Sequence, residues 1–264
     1  MKKRDLKGKT ACISGASGGI GKEIAKELAS YGVNCVLAAR SRDKLDALQE
    51  ELVAAYGVKA SVVEIDLSRA EAANEFYEAV GDLGWTIDIL VNNAGFGIFG
   101  NFAFTQWAKT EKMLDLDITS LTHIAHLFLK DMIAQKSGII LNVSSIAAFQ
   151  PTPSYAVYSA AKSYVLMFSE ALRREVKGAG VFVSALCPGV TETGFLSTAG
   201  QKKTLYQKAV IMSPEQVAKA AVAGMIKNKP AIVPGLLNKI TAVFPRFVPR
   251  QVSAVIAAAL MREN

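Results

Sequence analysis

Thr10-Ala11-Cys12-Ile13-Ser14-Gly15-Ala16-Ser17-Gly18-Gly19-Ile20-Gly21 is a short apolar run that breaks into glycines. Beyond it, Ile20, Ile24 and Leu28 recur at helical spacing, so the stretch reads as strand, tight turn, helix. Glycines allow positive φ angles and let backbone N–H groups approach an anion at a helix N-terminus. The spacing Gly15-x3-Gly19-x-Gly21 differs from the dinucleotide fingerprint G-x-G-x-x-G. Alone it is a weak sign. Its place between a strand and an amphipathic helix gives it weight.

The same alternation runs outward along the chain. Strands are expected at Thr10–Ser14, Asn34–Ala39, Ala60–Ile65, Ile87–Asn92, Gly138–Ser144, Val181–Leu186 and Ala231–Pro234. Their near-continuous hydrophobicity suits parallel strands covered on both faces. Leu45, Leu48 and Leu52 mark another helix, and Ser213-Pro214-Glu215 opens a further one with an N-cap, proline and an acidic first turn. The pattern predicts a single Rossmann-like, doubly wound α/β domain, a parallel sheet of about seven strands flanked by helices. Right-handed crossovers bring the strand C-termini and their loops to one edge, where the chemistry is expected.

At 264 residues, half of them apolar, the chain reads as one domain over 1–264 with a basic, apolar extension at about 236–264. Met1 to Lys9 is polar and basic, too short for the apolar stretch of a secretory signal. No run of about 18 uninterrupted apolar residues spans a bilayer. Cys12, Cys35 and Cys187 form no metal pattern and read as buried, reduced thiols. A cytoplasmic protein without a metal is expected.

The net charge of +7 is uneven. Residues 201–264 carry ten Lys or Arg against Glu215 and Glu263, leaving the first 200 residues near −1. Such a tail attracts anions, among them phosphates, acyl-carrier proteins and lipid headgroups. No stacking module or groove-reading motif accompanies it, so nucleic acid is not an expected partner.

The second strand ends Leu37-Ala38-Ala39-Arg40-Ser41-Arg42. Many dinucleotide sites place an acidic residue there for the ribose hydroxyls. Here no carboxylate repels a 2′-phosphate, and Arg40 offers a charged fork suited to one. NADP(H) is therefore favoured over NAD(H).

Tyr158 and Lys162 stand four residues apart, on one helix face. A free phenol with a pKa near ~10 is a poor base at neutral pH. A neighbouring ammonium favours the phenolate, so such a pair can exchange a proton with a forming alkoxide. Ser145 ends the strand of Ile139-Ile140-Leu141-Asn142-Val143-Ser144, where a hydroxyl can stabilise charge on a carbonyl oxygen. Ser144 could serve instead, though strand alternation aims the two at different faces.

Together with Asp66, Asn92-Asn93-Ala94-Gly95, Pro188-Gly189 and Thr193, these motifs occur in an order and spacing that resembles the short-chain dehydrogenase/reductase family over nearly the whole chain. The resemblance implies that Tyr158 is the general acid/base, that Ser145 orients the carbonyl, and that Lys162 binds the nicotinamide ribose while lowering the Tyr pKa. It further implies a cofactor site of Gly15, Ser17, Gly19, Ile20, Gly21 and Arg40, with Asp66 and Leu67 at the adenine and Asn93, Ala94 and Gly95 on the adenosine side. Pro188, Gly189, Val190 and Thr193 would hold the carboxamide end. Two positions depart from the family: Ser14 stands where Thr is usual, and Asp117 where the family commonly carries a catalytic Asn. Asp117 keeps the main-chain carbonyl of the proton relay and adds a charge near Lys162, so an altered pH dependence is expected.

Phe96–Phe104, Ala147–Tyr155 and Thr191–Met212 are the expected substrate-facing segments. Phe96, Phe99, Phe102, Phe104 and Phe149 suggest a pocket for an apolar ketone, such as a 3-ketoacyl thioester or a polycyclic compound, and residues 191–212 suggest a lid. Gln251–Met261 is expected to form one short helix. The apolar, basic C-terminus fits an oligomer contact, which the family's tendency toward homo-dimers and homo-tetramers favours, or a peripheral contact with an anionic membrane. A non-catalytic NADP(H) sensor or scaffold is the rival function; it has no use for Ser145, Tyr158 and Lys162.

Overall fold

The computed structural model describes residues 5–261 apart from 203, 205, 206, 208 and 209. Seven parallel strands form one sheet in the order β3-β2-β1-β4-β5-β6-β7: β1 (Thr10–Ser14), β2 (Asn34–Ala39), β3 (Ala60–Glu64), β4 (Ile89–Asn92), β5 (Gly138–Val143), β6 (Val181–Leu186) and β7 (Ala231–Ile232). The order reverses beside β1, which pairs β2 on one side and β4 on the other. Such a switch point opens a crevice at the strand C-termini.

Side-chain alternation explains why these strands are mostly apolar on both faces. Ala11, Ile13, Ile89, Val91, Ile139 and Leu141 enter a core layer with α1 (Gly19–Ser30) and α2 (Arg42–Tyr56). Cys12, Leu90 and Ile140 enter the opposite layer with α3 (Ala72–Gly81). A strand covered on both faces has no polar side to show. Leu45, Leu48 and Leu52 are buried along α2 as their spacing predicts.

The remaining helices are α4 (Trp107–Leu114), which runs through a π-helical turn at Asp115–Ser120 into α5 (Leu121–Ala134), then α6 (Ala156–Glu175), α7 (Phe195–Ala199), α8 (Pro214–Ile226), α9 (Leu236–Val243) and α10 (Arg250–Leu260). Ser213 caps α8 in a reciprocal capping box with Gln216, as its sequence announces.

Several strands are shorter than expected. Ile65 and Ser144 lie just past strand ends, yet still bond Ala39 O at 2.9 Å and Leu186 O at 2.7 Å. β7 stops at Ile232, before Pro234, which has no N–H to give a ladder. All three cysteines are buried and free. Burial pushes the thiols of Cys35 and Cys187 up to about 12, so they are inert at neutral pH. Among the described residues, no His, Cys, Asp and Glu cluster could hold a metal ion.

Candidate active site

The glycine-rich turn is tied down by β4's exit. The Ser14 hydroxyl accepts hydrogen bonds from the N–H groups of Asn93 (3.0 Å) and Ala94 (3.1 Å). In return, the Asn93 amide donates to the carbonyls of Ser14 (3.0 Å) and Gly15 (3.1 Å). Gly15 has φ +68, and a Cβ there would lie 2.7 Å from Asn93 Nδ2, so both backbone and space call for glycine. The Ala16 N–H bonds Ala38 O at 3.1 Å, fastening the loop to β2. Ser17, Gly19, Ile20 and Gly21 complete the turn, and the first turn of α1 holds no acidic residue. Its free N–H groups and positive dipole end suit an anion.

At the end of β2, Arg40 is exposed. Arg42 is committed elsewhere, its Nε bonding Asp46 at 2.9 Å within α2. Asp66 accepts from Ser68 N–H (3.1 Å) and Ser68 Oγ (2.8 Å). Burial alone would raise its carboxyl, but the Ser68 bonds, with Arg40 and Lys112 nearby, hold it below the usual range. Leu67 is buried, and its carbonyl accepts from Ser120 Oγ at 2.5 Å.

The two serines after β5 separate as alternation requires. Ser144 Oγ donates to Lys162 O at 2.7 Å, while Ser145 Oγ turns the other way and accepts from Ala147 N–H at 3.1 Å. On α6, the Lys162 ammonium lies 5.6 Å from the centroid of the Tyr158 ring. It donates to Val143 O at 3.3 Å and pairs with Asp117 Oδ2 at 2.9 Å. Asp117 sits in the π-helical turn, and its Oδ1 accepts the Phe96 N–H at 3.1 Å. Gly95 gives this pair room: a Cβ there would lie 2.8 Å from Asp117 Oδ1 and 3.2 Å from Lys162 Nζ. Ser145, Tyr158, Lys162 and Asp117 are thus gathered beside the Asn93–Gly95 strand exit, which borders the glycine turn.

The electrostatics differ from expectation in one respect. Lys162 was expected to lower the Tyr158 pKa; the phenol is instead held above its ordinary value, by burial first and the Asp117 carboxylate second, with the Ser145 hydroxyl pulling down. The Asp117 carboxyl is itself raised by burial, against the pull of Lys162 and the Phe96 N–H.

The loop after β6 closes the far side. Pro188 O accepts the Ile146 N–H at 2.9 Å, and Val190 O accepts the Met212 N–H at 3.0 Å. Thr193 comes back to the glycine turn, where a Cβ on Gly19 would meet its Cγ2 at 3.0 Å, and Gly189 is pressed against Asn238.

Around Tyr158 runs an aromatic wall. Phe99 packs at a tilt against Tyr155 (5.3 Å between ring centroids), Tyr155 against Tyr158 (5.6 Å) and Tyr158 against Phe195 (5.3 Å). Of the phenylalanines expected to line a pocket, Phe99 joins this wall; Phe102 and Phe104 stand exposed on a 3-10 turn, where Phe102 borders a small cavity with Ile98, Thr105, Met113 and Val157. Two further contributors lie within the expected substrate-facing segment Thr191–Met212. Phe195 reaches Tyr158 from α7, and Gln201 Oε1 accepts from Tyr155 Oη at 2.9 Å and from Gln207 Nε2 at 3.0 Å. Neither belongs to a motif; only the fold sets them against Tyr155 and Tyr158. The lid expected at Thr191–Met212 includes residues 203, 205, 206, 208 and 209, which lie outside the described residues.

A model of the short chain dehydrogenase family matches residues 9–204, a span that holds the glycine turn, Asp117, Ser145, Tyr158 and Lys162. The chain belongs to the short-chain dehydrogenase family. It is an oxidoreductase of that family. It is 34% identical to the ketoacyl reductase HetN of Nostoc sp. over 89% of this chain and 81% of that protein. It is 35% identical to 17-beta-hydroxysteroid dehydrogenase type 3 of Mus musculus over 75% of this chain and 65% of that protein. Its fold matches a short-chain dehydrogenase from Sphingobium yanoikuyae, solved in complex with NADPH, with a TM-score of 0.82 and 30% identity over 90% of this chain and 91% of that one.

Proposed function

We propose that this short-chain dehydrogenase reduces an apolar ketone to an alcohol with NADPH. The observation that carries the reading is the convergence of Tyr158, Lys162 and Ser145 beside the glycine turn. A non-catalytic NADP(H) sensor has no use for that cluster.

The residues fit the cofactor. Gly15, Ser17, Gly19, Ile20 and Gly21 would present the α1 N-terminus to the pyrophosphate, and Arg40, exposed at the end of β2, would meet a 2′-phosphate. Asp66 and Leu67 would border the adenine, and Asn93, Ala94 and Gly95 would form the floor. Pro188, Gly189, Val190 and Thr193 would hold the nicotinamide end, where Lys162 would bond the ribose. The relative of known structure with NADPH supports the choice of cofactor. When bound, the nicotinamide supplies the hydride.

The protein's own part is the proton. A phenol held above its ordinary value stays protonated at neutral pH, which suits a donor to the oxygen that gains charge as a ketone is reduced. Ser145 Oγ can hydrogen-bond that same oxygen and stabilise the charge. After transfer, the Tyr158 phenolate is left near the Lys162 ammonium, which favours the charged form. Asp117 holds that ammonium in place.

The substrate follows from the wall. Phe99, Tyr155 and Phe195 leave the space beside Tyr158 apolar, fit for a 3-ketoacyl thioester or a polycyclic ketone. The names of the Nostoc and mouse relatives agree with these two classes. A homo-dimer or homo-tetramer is part of the same reading, supported by the exposed Tyr164 and Met167 on α6; light scattering tests it. The deciding experiment follows NADPH absorbance against ketoacyl thioesters, steroids and small diketones. Turnover of none of them, or turnover that survives Tyr158→Phe, overturns the proposal.

A further inference from the structure

The C-terminal helices are built inside out. On α9, the buried side chains are Asn238 and Ala242, while Leu236, Leu237, Ile240 and Val243 point to solvent. On α10, Ser253 and Ala257 pack inward, and Val252, Val255 and Ile256 face out. Phe247 joins them from the connecting turn, and these outward side chains are exposed from 37% (Ile256) to 80% (Phe247). A helix on a protein in water normally buries its large apolar side chains and shows its polar ones. Two successive helices that reverse this make an apolar face of the kind that marks a binding surface.

Three cations, Lys239, Arg246 and Arg250, are exposed along the same segment, and the sequence has no Asp or Glu between Glu215 and Glu263. That charge pattern discriminates between occupants. A two-fold contact between copies would bring this face against itself, with like charges and no carboxylate to pair them. An anionic lipid surface matches both features, taking apolar side chains into the acyl boundary and cations at the headgroups. Among the described residues, no helix is long and apolar enough to cross a membrane, so the geometry is that of a segment lying in the interface.

The face is anchored to the candidate active site. Ser253 Oγ donates to Gln150 Oε1 at 3.1 Å, just past the turn that follows Ser145. Thr204 Oγ1 bonds Leu260 O at 3.3 Å, and Gln201 Nε2 reaches Met261 Sδ at 4.0 Å. Gln201 is the residue that holds Tyr155, neighbour of Tyr158.

We propose that the face formed by α9, the Phe244–Arg246 turn and α10 docks on the surface of an anionic lipid bilayer. Docking there sets the cleft beside the membrane, within reach of a ketone dissolved in the lipid. That purpose rests on the reductase reading; the docking does not.

The test is co-sedimentation of the full chain with phosphatidylcholine vesicles, with and without phosphatidylglycerol, read independently of turnover. The expected result is binding to the anionic vesicles that weakens as salt is raised. Leu237→Gln with Val255→Gln abolishes it, while NADPH binding and turnover of a water-soluble ketone persist. Arg246→Gln with Arg250→Gln weakens it about 30-fold, at about fivefold per basic residue. Both pairs change only outward-facing side chains, and either alone can decide. Absence of binding to the phosphatidylglycerol-containing vesicles overturns the proposal, as does binding that neither pair reduces. A parent chain that ignores vesicles but loses oligomer mass on Leu237→Gln with Val255→Gln assigns the face to a second copy instead. Loss of turnover with vesicle binding intact strikes the reductase reading alone.

Discussion

Lys162 Nζ and Asp117 Oδ2 lie 2.9 Å apart with both side chains almost fully buried. Breaking a buried pair by removing one partner strands the other charge, whereas changing both is far milder. The pair therefore links the stability of this region to the chemistry at Tyr158, whose phenol the Asp117 carboxylate helps hold up.

From this follows a pH dependence with a definite sign. Asp117→Asn removes a negative charge that favours the protonated phenol, so the Tyr158 pKa falls. Ketone reduction needs the phenol, and its alkaline limb in a pH–rate profile moves to lower pH; alcohol oxidation needs the phenolate, and its rise also moves to lower pH. Profiles that superimpose for parent and variant in both directions would show that Asp117 has no electrostatic role.

Tyr158→Phe removes the proton donor while keeping the ring in its aromatic wall. Turnover should fall about 10²–10⁴-fold, with NADPH affinity, measured by fluorescence titration, little changed. Ser145→Ala should cost about 10²–10³-fold in kcat, the size of one lost donor to a developing oxyanion.

Cofactor choice is assigned to one guanidinium. Arg40→Ala should raise KM for NADPH by about 10–100-fold, as loss of a charge-assisted bond implies, with KM for NADH little moved. Arg42→Ala is the control, since Arg42 is engaged with Asp46. Equal loss for both cofactors, or a parent enzyme that prefers NADH, removes the role given to Arg40.

Ser14→Ala leaves the N–H groups of Asn93 and Ala94 without their shared acceptor. Each unmet partner costs about 1–3 kcal/mol, so the urea midpoint should drop clearly, and NADPH binding should weaken with it. Ser14→Thr, which keeps the hydroxyl, should restore both; failure of that rescue would point to packing instead.

Phe195→Ala opens the wall beside Tyr158. It should raise KM for bulky apolar ketones several-fold and spare small ones, as deletion of an apolar contact predicts. A uniform fall in kcat across all substrates would mean that Phe195 positions Tyr158 instead of the substrate.

Much of this protein is legible along the chain because its signals are local. A strand buried on both faces is apolar at nearly every position, so Ala11, Cys12 and Ile13 announce β1 before any contact is known. Tyr158 and Lys162 share a helix face by spacing alone, and the glycines from Gly15 to Gly21 declare a turn that only small residues permit. What the tertiary structure decided depends on segments far apart in sequence. The upward shift at Tyr158 comes first from burial and then from Asp117, some forty positions away, against the effect expected from its helical neighbour. Phe195 and Gln201 carry no local signature, and they matter because the fold sets them beside Tyr158 and Tyr155. Composition marks the C-terminus as apolar and basic, but only the fold decides which sides of α9 and α10 face outward, because amphipathic spacing gives a helix two sides without saying which one meets the protein.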